Sequence, residues 1–408
     1  MHTVQTTDGP DVNGALNKKG KYGRDFDLDR YTASDSGDAI RIDDLAGTSE
    51  DMKNQLVNVG VIPDEKERSG TILFIDNSES HCSTKTNDAE VMSTQAALKK
   101  YDGLKDYFWK AVSPDKDKYT AKTYLENADG YFIRVKAGKK VTEPLQTCMM
   151  IDRDRSIQNV HNIIIVEKDA HLEIITGCTS HKHASDSLHI GVSEIFIEDG
   201  GSLIFSMVHN WGDKTGVRPR TVTIMGRDTT FVNNYVILNP VGSMQSYPVA
   251  YLNGEGASVK FNSICLSHPG TEIDTGGEAV LNAPNTHAEI ISRSITIGGT
   301  MMARGKLVGN AKGAKAHLEC RSLVLSDNGS TLAVPELEAN VADVEMTHEA
   351  AVGKIARDQV EYLMARGLTE DEAVGMIVRG FLEGGIRGLP DELKKEIDAA
   401  IEKSNLGS

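Results

Sequence analysis

Apolar and polar positions change texture three times along this chain. Between about residues 131 and 352, short β-branched runs alternate with Gly, Asn and Asp turns, and helical periodicity is nearly absent. One local pattern recurs, a small or turn residue followed by an apolar alternation: Asp169-Ala-His-Leu172, Gly200-Gly-Ser-Leu203, Asp228-Thr-Thr-Phe231, Gly256-Ala-Ser-Val259, Asn285-Thr-His-Ala288 and Gly313-Ala-Lys-Ala316. The closing residues are 31, 28, 28, 29 and 28 positions apart, and a further copy is expected at Val344, 28 beyond Ala316. A repeat of this length is a solenoid signature, because one unit cannot bury its own apolar face whereas stacked turns can. The expected fold is mainly β, a parallel β-helix; a sandwich has no reason to repeat its turn chemistry at a fixed interval.

The flanks read differently. Residues 1–40 are polar and rich in Asp, Gly, Lys and Thr, which predicts a flexible segment. Residues 41–130 read as a small α/β region, with a strand at 71–76, an irregularly amphipathic helix over 89–112 and a polar turn at 114–118. Residues 353–408 read as a helical domain. A helix over 356–366 ends on Gly367 as a left-handed cap. Thr369-x-x-Glu372 is a capping box for a second helix running to Glu383, with Ala373, Ile377, Val378 and Phe381 on its apolar stripe. Pro390 suits the first turn of a third helix ending near Lys403.

Composition narrows the function. The 408 residues include 59 acidic against 44 basic side chains, a formal charge of −15. That balance argues against nucleic acid and against an anionic membrane surface, both of which need basic neutralisation. Residues 1–20 hold no apolar core of a secretory signal, and no run approaches the roughly 18 apolar residues of a membrane span. The five cysteines, Cys82, Cys148, Cys178, Cys265 and Cys320, are scattered without a CxxC pair. They form no disulfide framework, which points to a reducing, cytoplasmic setting. No phosphate-binding loop or dinucleotide fingerprint is present, so any ATP is bound by another protein.

Strand parity then sorts the reactive side chains. Counting in twos from each aligned residue puts Cys178, His209 and Cys265 on the inward face six positions on, and Cys320 and His348 four positions on, 28 apart. With neighbouring strands about 4.8 Å apart, Cys320 and His348 are expected side by side, and Glu349 on the opposite parity or at a turn. Thiolate, imidazole and carboxylate together can bind iron. The plain alternative is that buried cysteines are small hydrophobes and a strand histidine is structural. His181, His183 and His189 form a further cluster near Cys178 whose flanks read as a loop; Cys148 reads as core.

These segments resemble the SufB/SufD family of the SUF system over residues 140–390. The matching stretches are Gly177-Cys178-Thr179, Val208-His209-Asn210-Trp211, Asp274-Thr275-Gly276, Ser292-Arg293-Ser294, Thr347-His348-Glu349-Ala350 and Gly367-Leu368-Thr369-Glu370-Asp371-Glu372-Ala373 running on to Met376-Ile377-Val378-Arg379-Gly380-Phe381. The resemblance implies a right-handed parallel β-helix and a C-terminal helical domain that docks an ABC-type ATPase (SufC-like) through Leu368, Glu370, Ala373, Met376, Ile377, Arg379 and Phe381. It implies that Cys178 receives and relays sulfur, and that Cys320, His348 and Glu349 hold the metal of a transient iron–sulfur cluster. Two departures stand out. Arg321-Ser322 follows Cys320 where the family has Asp-Ser, and the surroundings of His348 mix SufB-like and SufD-like residues. A SufB/SufD-like hybrid follows, working as a homodimer or with a related chain, fed by a cysteine desulfurase or another sulfur donor. The expected function is a scaffold for cluster assembly and transfer, not an enzyme. The alternatives are a structural adaptor for the ATPase without a cluster, and a β-helix enzyme acting on polysaccharides.

Overall fold

The computed structural model describes residues 9–33, 40–184 and 186–383, and over them the chain is mainly β, a solenoid of about eight turns followed by helices. Among the described residues one sheet runs in the order Ser78–Thr84, Gly70–Ile75, Lys140–Ile151, His171–Ser180, Ser202–Asn210, Thr230–Ile237, Ser258–Ser267, His287–Thr296, Ala314–Val324 and Val344–Gly353. From Gly70–Ile75 onward every pairing in it is parallel. A second sheet supplies the opposite wall, ending in Glu272–Leu281, Thr300–Gly309 and Ser330–Ala339.

The repeated turn residue has a backbone cause. Asp169, Gly200, Asp228, Gly256, Asn285 and Gly313 all adopt positive φ, between 53° and 74°. Only Gly and, at modest cost, Asn and Asp enter that left-handed region readily. The aligned residues Leu172, Leu203, Phe231, Val259, Ala288 and Ala316 stand opposite one another in register. They are buried in one core with Ile164, Ile195, Met225, Leu252, Leu281 and Leu307 of the other sheet.

The last copy is displaced. Ala316 pairs with Met346, not Val344, so the final step is 30 residues. The turn between the sheets has three residues after Thr296 but five after Val324, and the two extra residues are absorbed there without disturbing the ladder.

The flanking regions depart further from expectation. Residues 9–33, read as flexible, lie against the solenoid: Val12, Ala15, Phe26 and Tyr31 are buried. Arg218, fully buried, donates to the Arg24 carbonyl and stacks on Phe26. The helix expected over 89–112 is instead a strand, Ala89–Ser93, then a short helix, Thr94–Lys100, and a 3-10 turn, Asp102–Asp106. Ala89, Val91 and Ser93 alternate inward and pair antiparallel with Tyr131–Val135, so tertiary pairing overrides the helical propensity. Lys118–Leu125 forms a further helix, opened by an Asp117/Thr120 capping box.

The outer face of the first sheet is also covered. Leu56, Val59 and Val61, at and just beyond helix Glu50–Val57, pack on Leu73, Cys148, Met150 and Val208. Helix Arg357–Met364 ends at Gly367, whose φ is +101°. Helix Glu370–Glu383 opens with the Thr369/Glu372 box, the Thr369 amide donating to Glu372 at 2.8 Å and the Glu372 amide to the Thr369 hydroxyl at 3.2 Å. The helix expected after Pro390 lies outside the described residues. No helix among the described residues is long and apolar enough to cross a membrane.

Candidate functional site

Two inward columns run along the bore of the solenoid. One reads Cys178, His209, Ile237, Cys265, Ser294 and Ser322; the other, two residues earlier on each strand, reads Thr176, Met207, Tyr235, Ser263, Ser292 and Cys320. A bore of this kind usually carries aliphatic side chains; here every position of the two columns except Ile237 is polar or sulfur-bearing. Cys178 and Cys320 are five strands apart, about 24 Å at the usual strand spacing. Cys265 stands between them.

Around Cys178 the polar groups are held in fixed roles. A cavity of about 30 Å³, room for one water, is lined by Cys178, His189, His209, Thr176 and Met207 among others. Gln158 donates its amide to the Asp76 and Met150 carbonyls, which turns its carbonyl oxygen toward Nδ1 of His189 at 2.8 Å. His189 therefore donates from Nδ1 and keeps a lone pair on Nε2. Trp211 Nε1 donates to Nδ1 of His209 at 2.9 Å, so His209 carries its proton on Nε2, where it has no protein partner. Burial pushes both imidazoles down to about 3. Burial also raises the Cys178 thiol well above its ordinary range, with Cys148 adding to the shift. A separate, smaller cavity of about 20 Å³ lies beside Tyr235, Ser263 and Thr275. Parity from the repeat put His209 inward; His189, expected in a loop, sits on strand Leu188–Ile197 of the opposite wall, beyond what one strand's parity reveals.

At the far end the geometry differs from the expected side-by-side pair. Cys320 pairs with Ala350, and His348 with Leu318. Thiol and imidazole share the inward parity but stand diagonally, with Cα atoms about 8 Å apart from strand spacing and rise. Cys320 is buried, its thiol pushed up to about 11 by burial and by Glu319, with Arg293 opposing. His348 is exposed, because Val344–Gly353 is the edge strand and nothing covers it among the described residues.

Glu349 faces the other way. Its carboxylate lies 2.7 Å from Arg321 on the outer face. Arg321 also meets Glu319 at 2.7 Å, and Glu319 meets Arg293 at 2.6 Å. The arginine in the place of the family's aspartate thus anchors the carboxylate expected as a ligand. Sequence reading missed this chain of four charges because its members belong to three strands.

The residues expected to dock a partner divide between two faces of helix Glu370–Glu383. Ala373 is fully buried and Phe381 lies over Arg293, so both serve packing on the solenoid. Burial of Ala373 removes it from any docking face, as its methyl is spent on the core. Glu370, Met376 and Arg379 are exposed, with Leu368 and Ile377 half-buried.

Comparison with known proteins gives the same direction. Residues 149–381 match the family described as SUF system FeS cluster assembly, SufBD core domain. An iron–sulfur cluster assembly SufBD family protein of Methanothermobacter thermautotrophicus is 44% identical over 398 residues, covering 96% of this chain and 97% of the relative. One from Archaeoglobus fulgidus is 44% identical over 350 residues, covering 86% and 94%. The iron–sulfur cluster assembly protein SufB of Bacillus subtilis is 32% identical over 323 residues, covering 77% and 68%. With the solenoid, the bore cysteines and these relatives taken together, the chain belongs to the SufBD family of iron–sulfur cluster assembly proteins.

Proposed function

We propose that this chain is a scaffold, not an enzyme, on which iron–sulfur clusters are built and from which they are passed on, in a cytoplasmic setting. The observation that carries the reading is the inward thiol of Cys320 one strand from an open solenoid edge, with the His348 imidazole diagonal to it. A cluster held by few protein donors at an uncovered edge is labile, and lability suits cargo.

Sulfur arrives at Cys178. Its thiolate takes the terminal sulfur of a donor's persulfide, the donor leaving as a thiol; a cysteine desulfurase is one such donor. The raised Cys178 thiol gives up its proton to the departing donor thiolate in the same exchange, because His189, held down near 3 by burial, is too weak a base to hold it. The polar bore, with Cys265 midway, leads toward Cys320. Glu349 joins the metal ligands only when its pair with Arg321 opens, which makes the carboxylate a gated donor.

Leu368, Glu370, Met376, Ile377 and Arg379 form the face for an ABC-type ATPase that performs the hydrolysis. A second copy, or a related chain, adds at the edge strand Val344–Gly353 and completes the donor set.

The test is anaerobic co-purification with an ABC-type ATPase, followed by iron, sulfide and mass measurement. Wild type is expected to carry iron and sulfide, and Cys320→Ser to lose them while keeping the ATPase. Equal iron and sulfide in Cys320→Ser removes the site assignment; ATPase binding with no cluster in wild type leaves the adaptor reading.

A further inference from the structure

The turn after Cys178 carries a second constellation that cluster building does not use. In the parallel register Ile151 stands opposite Ser180, so the residues that follow, Asp152 and His181, leave adjacent strands side by side. The turn from Ser180 to Ser187 is two residues longer than the one beneath it from Ile151 to Ser156, and the extra length brings His183 back over Asp152. One ligand atom from each of Asp152, His181 and His183 lies within 4.8 Å of the others.

Each donor is already oriented. The Asp152 amide is fixed by Asp76 at 2.9 Å, and the His181 amide by the Ile151 carbonyl at 2.7 Å. His181 Nε2 lies 3.0 Å from the Asp51 carboxylate of helix Glu50–Val57, so it donates there and leaves Nδ1 as the bare nitrogen. That Nδ1 is shielded from solvent and has no hydrogen-bond partner. His183 Nε2 lies 2.5 Å from the Asp152 backbone carbonyl, which frees its Nδ1 in the same way. A carboxylate that orients an imidazole through one nitrogen while the other faces a vacant position is the arrangement that supports metal-bound histidine.

We propose that His181, His183 and Asp152 form a binding site for a divalent transition-metal ion, with Asp51 positioning His181. Two imidazoles and one carboxylate select borderline ions such as Fe²⁺ or Zn²⁺ over Mg²⁺ or Ca²⁺, which prefer oxygen alone. Closing the three donors on an ion at about 2.0–2.2 Å needs only side-chain rotation in a turn where His183 is 58% exposed. Lys182, between the histidines, is 86% exposed and stands outside the donor set, 3.7 Å from Asp51. The site rests on its own donors and does not depend on the assembly role of Cys320.

The experiment titrates the metal-free, full-length chain anaerobically with Co²⁺ and follows visible absorption. Wild type is expected to bind an ion with bands of nitrogen and oxygen ligation, and any further ion with sulfur-to-cobalt charge transfer is expected to disappear in Cys320→Ser. His183→Ala, at an exposed position, should lower affinity about 100-fold with an unchanged thermal midpoint in the metal-free state. Asp51→Asn should lower it 10- to 100-fold, and Cys320→Ser should leave it unchanged. The site is overturned if wild type takes up no Co²⁺. It is equally overturned if His183→Ala binds as tightly as wild type, or if Cys320→Ser abolishes all Co²⁺ binding.

Discussion

Glu319 and Glu349 both meet Arg321, yet in different surroundings. Glu319 also faces Arg293, and the side chains of that pair are 3% and 13% exposed; Arg321 and Glu349 are 42% and 51% exposed. A buried pair loses more when one partner is removed than a solvated, screened pair does. Glu319→Gln should therefore lower unfolding free energy in urea titration by more than Glu349→Gln, whose effect should stay below about 1 kcal/mol. Similar losses for the two would mean that the difference in burial is not felt.

The bore histidines give a second prediction at this scale. His189 and His209 have folded values near 3, against an ordinary value of 6.5. Between those values the unfolded chain binds more protons, so the stability from keeping them neutral is present above about pH 6.5 and is lost as pH falls toward 3. The slope is at most about 1.4 kcal/mol per pH unit for each histidine. His209→Asn should flatten the fall of thermal midpoint between pH 7 and 5; an unchanged slope would place the acid sensitivity elsewhere. Single-residue legibility was good wherever parity sufficed, as for Cys178, His209 and Cys265. It failed for Cys320 and His348, because a surface turn two residues longer than its neighbours is invisible to a count of period.

At the scale of elements, helix Glu370–Glu383 has one face buried and one open. Val378 is fully buried against the solenoid, in a cluster with Ile291 and Ile295, while Met376 is 54% exposed. Val378→Ala should cost about 1–3 kcal/mol of stability, from the area and the cavity it leaves. Met376→Asp should leave the thermal midpoint unmoved and weaken capture of the ATPase in a pull-down with purified subunits; full retention would take Met376 out of the docking face. Both the capping box and the glycine stop of the preceding helix were legible, since their chemistry is local. So were the solenoid turns, because each needs a residue that tolerates positive φ. Strand Ala89–Ser93 was not, since its partner Tyr131–Val135 lies some forty residues on and no local signal announces that pairing.

For the whole molecule, the two sheets finish differently at the C-terminal end of the coil. The outermost strand of one, Ser330–Ala339, contains Pro335, which lacks an amide donor; Val344–Gly353 of the other contains no proline. Proline blunts an edge, so the strand addition proposed above falls to Val344–Gly353. Charging that edge with Ala351→Lys and Val352→Lys should convert a dimer to a monomer in sedimentation velocity. A wild-type chain that is monomeric at every concentration, alone and with an added ABC-type ATPase, would remove the proposed dimer.

The run of charges on the outer wall has a mechanical meaning. Phe381 on the terminal helix leans on Arg293, and from there Glu319, Arg321 and Glu349 follow hand to hand to the rim of the coil. A helix displaced outward would lose the Phe381–Arg293 contact, and Arg293 is the first member of the row that ends on Glu349. Whatever grips that helix thereby sits at one end of a row of charges whose other end is the carboxylate on the outer face of the edge strand.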